Sequence, residues 1–425
     1  MLTKEQNELL CRVEGAAPMG GIMRRHWLPV CMSEEVAEAD GRPVRSRLLG
    51  EDLVVFRDTN SRIGVLGEYC LHRRASLAFG RNEECGLRCL YHGWKFDVEG
   101  NIVDMPSEAP GAAQRLRKRT KAYPVREGGG FVWAWMGPKE EMREFEPPAW
   151  APKPDIRYAI VKMHIACNWA QVLEGSVDSA HSSTLHSTNM PAAADVYGST
   201  ATDSAWLRPS NDKAPRLQFE ATDYGFRYAA IRKPIKNPER DQYVRTTLFI
   251  APFTVLIPPN NQYNLAQMLV PIDDVNTMFY WIAWHPDPAK GIAQQAWRRF
   301  CAAEVGVDLD ENFKNKRTLE NRYLQDREAM KRGDWTGITG IPAQDMAMWE
   351  SMGPITDRSE DHFGSSDLAV AQFRRMMVAA AKDFQAGAPA IGTQKSVRYT
   401  ELASFEGIVP KSTDWRTLGN SYCLA

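Results

Sequence analysis

The sequence predicts an α+β fold in two parts: a small antiparallel β domain near the N-terminus, then a larger domain with a central antiparallel sheet and helices. Three features carry that prediction. At 425 residues the chain exceeds the usual size of a single hydrophobic core. Residues 45–136 alternate short strand-forming runs with turn signals, whereas the last third of the chain turns to helical spacing. Between them EFEPPAWAPKPDIRY, from Glu144 to Tyr158, has the proline content of a stiff connection. The expected domains are 27–140 and 141–425, with residues 1–26 joining the second.

In the first domain RSRLLG and DLVVFR precede a turn at Asp58-Thr59-Asn60-Ser61, and IGVLGEY follows it. WKFDVEGNIV turns at Glu99-Gly100-Asn101, and FVWAWMG follows three glycines, Gly128 to Gly130. In the second domain Asn168 to His186 looks helical. Leu217 to Pro258 is strand-rich and includes TTLFIAPFTVLI, and Gln262 to Trp284 continues in strands. Ser366 is the expected N-cap of the helix DLAVAQFRRMMVAAAKDFQA, with Gly387 to end it.

Bulk composition excludes several classes. Hydrophobic residues make up 44% and charged residues 25%, which is ordinary for a globular protein. With 52 basic against 53 acidic residues the net charge is -1, so nothing attracts nucleic acid or anionic membrane in bulk. The opening MLTKEQNELLCRVEG lacks the basic start and apolar core of a signal peptide, and no apolar run is long enough to span a bilayer. The expectation is a cytoplasmic protein. Eight cysteines are too sparse for a disulfide scaffold, so cysteines grouped with histidines read as metal ligands. Cys11, Cys31, Cys167, Cys301 and Cys423 have no such grouping and read as small apolar side chains.

Two groupings stand out. Cys70-Leu-His72 and Cys89-Leu-Tyr-His92 place two thiols and two imidazoles on two loops, a donor set that suits either zinc or an iron–sulfur pair. Both loops sit at strand ends, Gly80 lies between them and Gly93-Trp94 follows the second. No helix carries the paired histidines of a zinc finger, so the zinc reading is the weaker one. Cys85 has no histidine beside it and is left out of the set. Further on, NWAQVLEGSVDSAHSSTLH carries Asp178, His181 and His186. Histidines five apart point about 140° apart on a regular helix, so both reach one metal only if the helix ends or bulges between them. Ser182-Ser183-Thr184, weak helix formers, are where that irregularity is expected.

CLHRRASLAFG followed by CLYHGWKFDVEGN resembles the Rieske family. The resemblance implies a 2Fe-2S cluster with Cys70 and Cys89 on one iron and His72 and His92 on the other, the imidazoles raising its reduction potential. It extends from HWLPV at 26 to FGSSDLAVAQFRRMM, and so implies a Rieske non-haem iron oxygenase. In that family two histidines and a carboxylate hold a mononuclear ferrous iron with open positions for dioxygen. His181 and His186 match the histidines. Asp345 in IPAQDMAMWESMGPITDR, with Glu350 five residues on, matches the carboxylate. Asp178 matches an aspartate that bridges to a Rieske histidine of the neighbouring subunit, although a residue there also suits a helix cap. Many relatives have asparagine where this chain has Gly175, so that side chain's role is absent here or passes to Gln171 or another residue.

EGSVDSAHSSTLHS and QDMAMWESMGPITDRSEDHFGSSD resemble the phthalate dioxygenase branch most. The activity implied is cis-dihydroxylation of an aromatic carboxylate, phthalate to its 4,5-cis-dihydrodiol, with dioxygen and electrons from a separate NADH-dependent flavin and iron–sulfur reductase. A homotrimer, or trimers stacked in pairs, is the implied assembly. An aryl-ether oxygenase or O-demethylase of phenoxybenzoate or vanillate type shares the same ligands. An electron carrier without oxygenase activity would need only the first site. Since a buried carboxylate needs a cation, Arg208 and Arg245 are the expected substrate anchors, and Ser179 an additional hydroxyl donor. No glycine-rich dinucleotide fingerprint follows a strand, so the reducing equivalents come from another protein.

Overall fold

The computed structural model describes residues 2–151, 153, 155–194, 206–259 and 263–419; Cys423 and part of the proline-rich connection lie outside them. It divides into Val13–Phe145 and a larger unit in which Met1–Arg12 joins Glu146–Ala425.

The smaller unit is built from three antiparallel sheets. Trp27–Met32 pairs with Phe131–Trp135, which pairs with Val125–Gly128. Val44–Leu48, Glu51–Arg57 and Ile63–Gly67 form a meander. Arg81–Glu83, Gly86–Arg88, Lys95–Phe96 and Ile102–Asp104 form the third sheet. The meander's turn is the expected one: the Asp58 carboxylate accepts the Asn60 and Arg62 N–H groups and holds the Arg62 guanidinium. Its core gathers Val54, Phe56, Leu66, Leu87, Trp94 and Phe96 around Cys70 and Cys89, so both thiols stand on a packed floor.

The larger unit carries an eight-stranded antiparallel sheet. Its order is Tyr158–Ile165, Thr277–Trp284, Asn264–Pro271, Thr254–Ile257, Asp241–Ile250, Gly225–Arg232 and Arg216–Thr222, and Phe405–Pro410 also pairs with Asp241–Ile250. Gly225–Arg232 is buried at every position, which explains why this region reads as apolar runs without a clean alternation. Three helices matter for the site: Trp169–Val177, Ile341–Ser351 and Leu368–Gln385. No helix among the described residues is long and apolar enough to cross a membrane.

Two expectations are corrected in detail. The helix expected from Asn168 to His186 stops at Val177, because Asp178 turns to an extended conformation and its Oδ1 accepts the Ala180 N–H at 2.7 Å. Only a short 3-10 turn, His181–Ser183, follows. The break therefore falls before both histidines, earlier than the serines suggested. The last long helix starts at Leu368, and Ser366 does not cap it: Ser365–Asp367 forms a 3-10 turn closed by Asp367 Oδ2 on the Gly364 N–H.

Candidate metal centres

In the smaller unit the two cysteine–histidine loops share one backbone design. Cys70 N donates to Ala75 O and Arg74 N to Cys70 O; Cys89 N donates to Trp94 O and Gly93 N to Cys89 O. Each loop closes on a left-handed residue four positions after its cysteine, Arg74 at φ 63° and Gly93 at φ 76°. Gly93 admits no side chain, since a Cβ would lie 2.4 Å from Pro106 Cγ. Buried Glu68 fixes the base of the first loop by accepting Ser76 Oγ at 2.5 Å and pairing with Arg45.

These loops bring His72 and His92 within 4.4 Å, ring centre to ring centre, and stack His72 on Trp94. Both cysteines are buried beneath, and burial together with the adjacent Cys89 sulfur pushes the Cys70 thiol up to about 11. Without a metal the Cys70 thiol stays protonated at neutral pH. His72 Nδ1 is buried and has no hydrogen-bond partner. A thiol pair beside an imidazole with an orphaned nitrogen fits a cluster held by two sulfurs and two nitrogens. Cys85 stands apart, with Asn60 Nδ2 3.1 Å from its sulfur.

In the larger unit His181, His186 and Asp345 each offer one ligand atom, and these atoms lie within 4.8 Å of one another. Asp345 Oδ1 is 3.0 Å from His186 Nε2 and 3.6 Å from His181 Nε2. Ligands each about 2.1 Å from one ion sit roughly 3–4 Å apart, and both aspartate–histidine distances fall in that range. The helix carrying Asp345 starts at Gly340, φ 88°, where a Cβ would meet Ala302 Cβ at 2.7 Å; only glycine permits that entry. Glu350, on the same helix, points elsewhere: it accepts the Ala166 N–H and the Tyr323 hydroxyl.

Gln344, which sequence reading passes over, orients the site. Its Nε2 donates to Asn189 Oδ1 and Ile338 O, both at 2.9 Å, which forces Oε1 toward His186 Nδ1 at 2.8 Å. Nδ1 must then carry the proton, leaving Nε2 free for a metal. Asp178 does two things at once. Its Oδ1 caps the turn, while Oδ2 lies 3.5 Å from His181 Nδ1, a nitrogen with no hydrogen-bond partner of its own. Burial opposes ionisation of Asp178, but the nearby His181 ring and the Ala180 and His181 N–H groups outweigh it and hold the carboxyl below its ordinary range.

Gln171 cannot replace an asparagine at 175. Its amide is spent on Trp349 O, Gly353 O and the Thr356 N–H. The place is taken by Trp349: a Cβ on Gly175 would lie 2.2 Å from the indole Nε1. Trp349 lines a cavity beside the metal group together with Asp345, Ser179, Ser182, Met190 and Arg245. Arg208 is buried behind it, donating to Ser183 Oγ at 2.7 Å and Ser182 Oγ at 3.0 Å. Arg245 is buried as well, so neither expected anchor is a surface residue. A third arginine that the sequence did not single out, Arg232, holds Ser179 O at 2.7 Å.

Comparison with known proteins agrees with this geometry. Residues 26–124 match the Rieske [2Fe-2S] domain, and residues 134–425 match the family described as LigXa C-terminal domain like. The phthalate 4,5-dioxygenase oxygenase subunit of Pseudomonas putida is 58% identical over 426 residues, covering 100% of this chain and 96% of that protein. The 3-chlorobenzoate-3,4-dioxygenase oxygenase subunit of Comamonas testosteroni is 36% identical, covering 98% and 97%. Among solved structures, the terminal oxygenase of carbazole 1,9a-dioxygenase from Novosphingobium sp. KA1 shares the fold, with TM-score 0.56 at 19% identity over 89% of this chain and 99% of that one.

Proposed function

The chain belongs to the Rieske non-haem iron oxygenases, and from that premise we propose that it is the oxygenase component that converts phthalate to its 4,5-cis-dihydrodiol. One observation carries the choice of an aromatic acid: a single cavity is lined both by the histidine–aspartate group and by Arg245. Its lining is otherwise mostly apolar, as a benzene ring requires. The relative at 58% identity supports phthalate among aromatic acids.

In this reading Cys70, Cys89, His72 and His92 hold the 2Fe-2S cluster, and His181, His186 and Asp345 hold the mononuclear iron. When bound, the cluster would supply electrons and the iron would supply dioxygen activation. The rest is done by side chains of the chain. Arg245 and Arg208 anchor carboxylates and Ser179 adds a hydroxyl donor, which fixes the ring carbons that face the iron. Trp349, Trp206 and Trp281 exclude water from that space. Gln344 keeps His186 in the ligating tautomer. Asp178 Oδ2 faces His181 and, as a carboxylate oxygen, can accept from another imidazole as well, which supports its role as a bridge to a Rieske histidine of a neighbouring subunit in a trimeric ring. Electrons reach the cluster from a separate reductase.

Product identification tests the proposal. Reduced, fully loaded protein given one turnover with phthalate and dioxygen should yield the 4,5-cis-dihydrodiol. Inertness toward phthalate, with a phenol and an aldehyde released from a methoxybenzoate, would instead make it an O-demethylase.

A further inference from the structure

The larger unit buries two groups of arginines, and only one is neutralised. Arg358 and Arg374 are met by Glu174 and Asp361 at 2.6–2.7 Å, two carboxylates for two guanidiniums. Behind the cavity the balance differs. Arg208, Arg232 and Arg245 are 3%, 2% and 7% exposed. Among the described residues Glu406 alone forms an ion pair with any of them, 3.0 Å from Arg245. Arg208 spends its N–H groups on Ser182 Oγ, Ser183 Oγ and the Met190 sulfur. Arg232 spends its own on Ser179 O, Ser179 Oγ and Ser183 Oγ. The two like charges share the Ser183 hydroxyl, at 2.7 and 3.3 Å. The Nε of all three arginines is buried without a partner. Asp212 is near enough for Arg232 to feel its charge, yet it accepts the Ala214 and Lys233 N–H groups.

Burying a charge without a partner is costly, and breaking up a buried pair is costlier still. Burial, and after it the like charge of Arg245, pull the Arg208 guanidinium down to about 10. A fold that balances one buried arginine pair and leaves another unbalanced has left room for an anion. Three cations and one carboxylate leave two positive charges to be met. Ser179 and Ser182, the hydroxyls these arginines hold, line the cavity.

We propose that Arg232 is a specificity determinant of this cavity: with Arg208 it supplies two uncompensated positive charges, Glu406 holding the count at two by neutralising Arg245, and these select aromatic acids with two carboxylates over those with one. The inference rests on the reading of the cavity as an aromatic-acid site. Arg232 acts through Ser179 and through its field, and is a positioning residue rather than a catalytic one.

The test compares dissociation constants of phthalate and benzoate, by calorimetry on the metal-loaded protein without dioxygen. Wild type should prefer phthalate. Arg232→Gln should reduce that preference about tenfold, weakening phthalate far more than benzoate, whereas Arg232→Lys should keep most of it. Glu406→Gln, which adds a net positive charge without touching Arg232, should increase the preference. A purely structural role for Arg232 would weaken both acids alike, and that result overturns the proposal. So does an unchanged preference in Arg232→Gln, an unchanged or reduced preference in Glu406→Gln, or a wild type that binds both acids equally. A wild type that binds neither acid defeats the function reading itself. Should Arg232→Gln not fold, Glu406→Gln decides alone.

Discussion

Replacing Gln344 by leucine should release iron without disturbing the cluster. The wild-type amide is held by two acceptors, Asn189 Oδ1 and Ile338 O, so its oxygen has one direction to face, toward His186 Nδ1. His186 is 3% exposed, and water cannot replace the lost acceptor. The variant leaves a buried N–H unpaired, at about 1–3 kcal/mol, and removes the preference for the tautomer that keeps Nε2 free. Loss of such a partner typically lowers metal affinity about 10–100-fold, equivalent to roughly 1.4–2.7 kcal/mol. The assay is retention of mononuclear iron against a graded series of chelator, with the visible absorption of the cluster as internal control. Gln344→Glu should not rescue, because its second oxygen would face the Ile338 carbonyl and the Asn189 amide oxygen, acceptor against acceptor. Iron affinity within about threefold of wild type in Gln344→Leu, short of the tenfold minimum, would refute the reasoning.

Three further outcomes are expected. Glu174→Gln strands the buried Arg358 guanidinium and leaves Arg374 only Asp361, and should cost about 3–5 kcal/mol, lowering the apparent melting midpoint by roughly 6–15 °C at fixed scan rate. Burial opposes the charge on Glu174, but Arg358 and Arg374 outweigh it and keep its carboxyl below the ordinary value. Its contribution is therefore full above the ordinary carboxylate range and is lost as pH falls through the lowered one, so wild type and variant should converge in acid melts. Gly175→Ala should push the Trp349 indole out of place and reduce turnover, and the added Trp349→Leu should restore part of it; full activity in the single variant would mean the indole has room to move. Asp178→Asn should keep both metals yet slow electron transfer from cluster to iron in rapid-mixing experiments, since an amide cannot accept from two imidazoles as a carboxylate does. Normal transfer in that variant would remove Asp178 as the bridge.

What the sequence made legible follows from how local each signal is. The cysteine–histidine loops are readable because each candidate cysteine stands within three residues of its histidine, with Gly93 and Trp94 directly after the second pair, and the antiparallel class because strands and turns alternate at short range. His181 and His186 were visible as a pair, but the break that lets them converge was misplaced: the serines looked like weak helix formers, whereas Asp178, by capping the next turn with its own carboxylate, ends the helix first. Gln344 stands directly before Asp345 and still escaped notice, since a glutamine announces nothing until its two acceptors, one of them from residue 189, fix which way its amide points. Arg232 was hidden for a stronger reason. A buried arginine at the end of an apolar strand is expected to find a carboxylate, and only the whole fold shows that Glu406 on the last strand is taken by Arg245 while Asp212, whose charge Arg232 feels, is spent on backbone N–H groups. The charge a site leaves unpaired is a property of residues brought together from 208 to 406, so no window of sequence could display it, and it is the feature from which the choice between mono- and dicarboxylate follows.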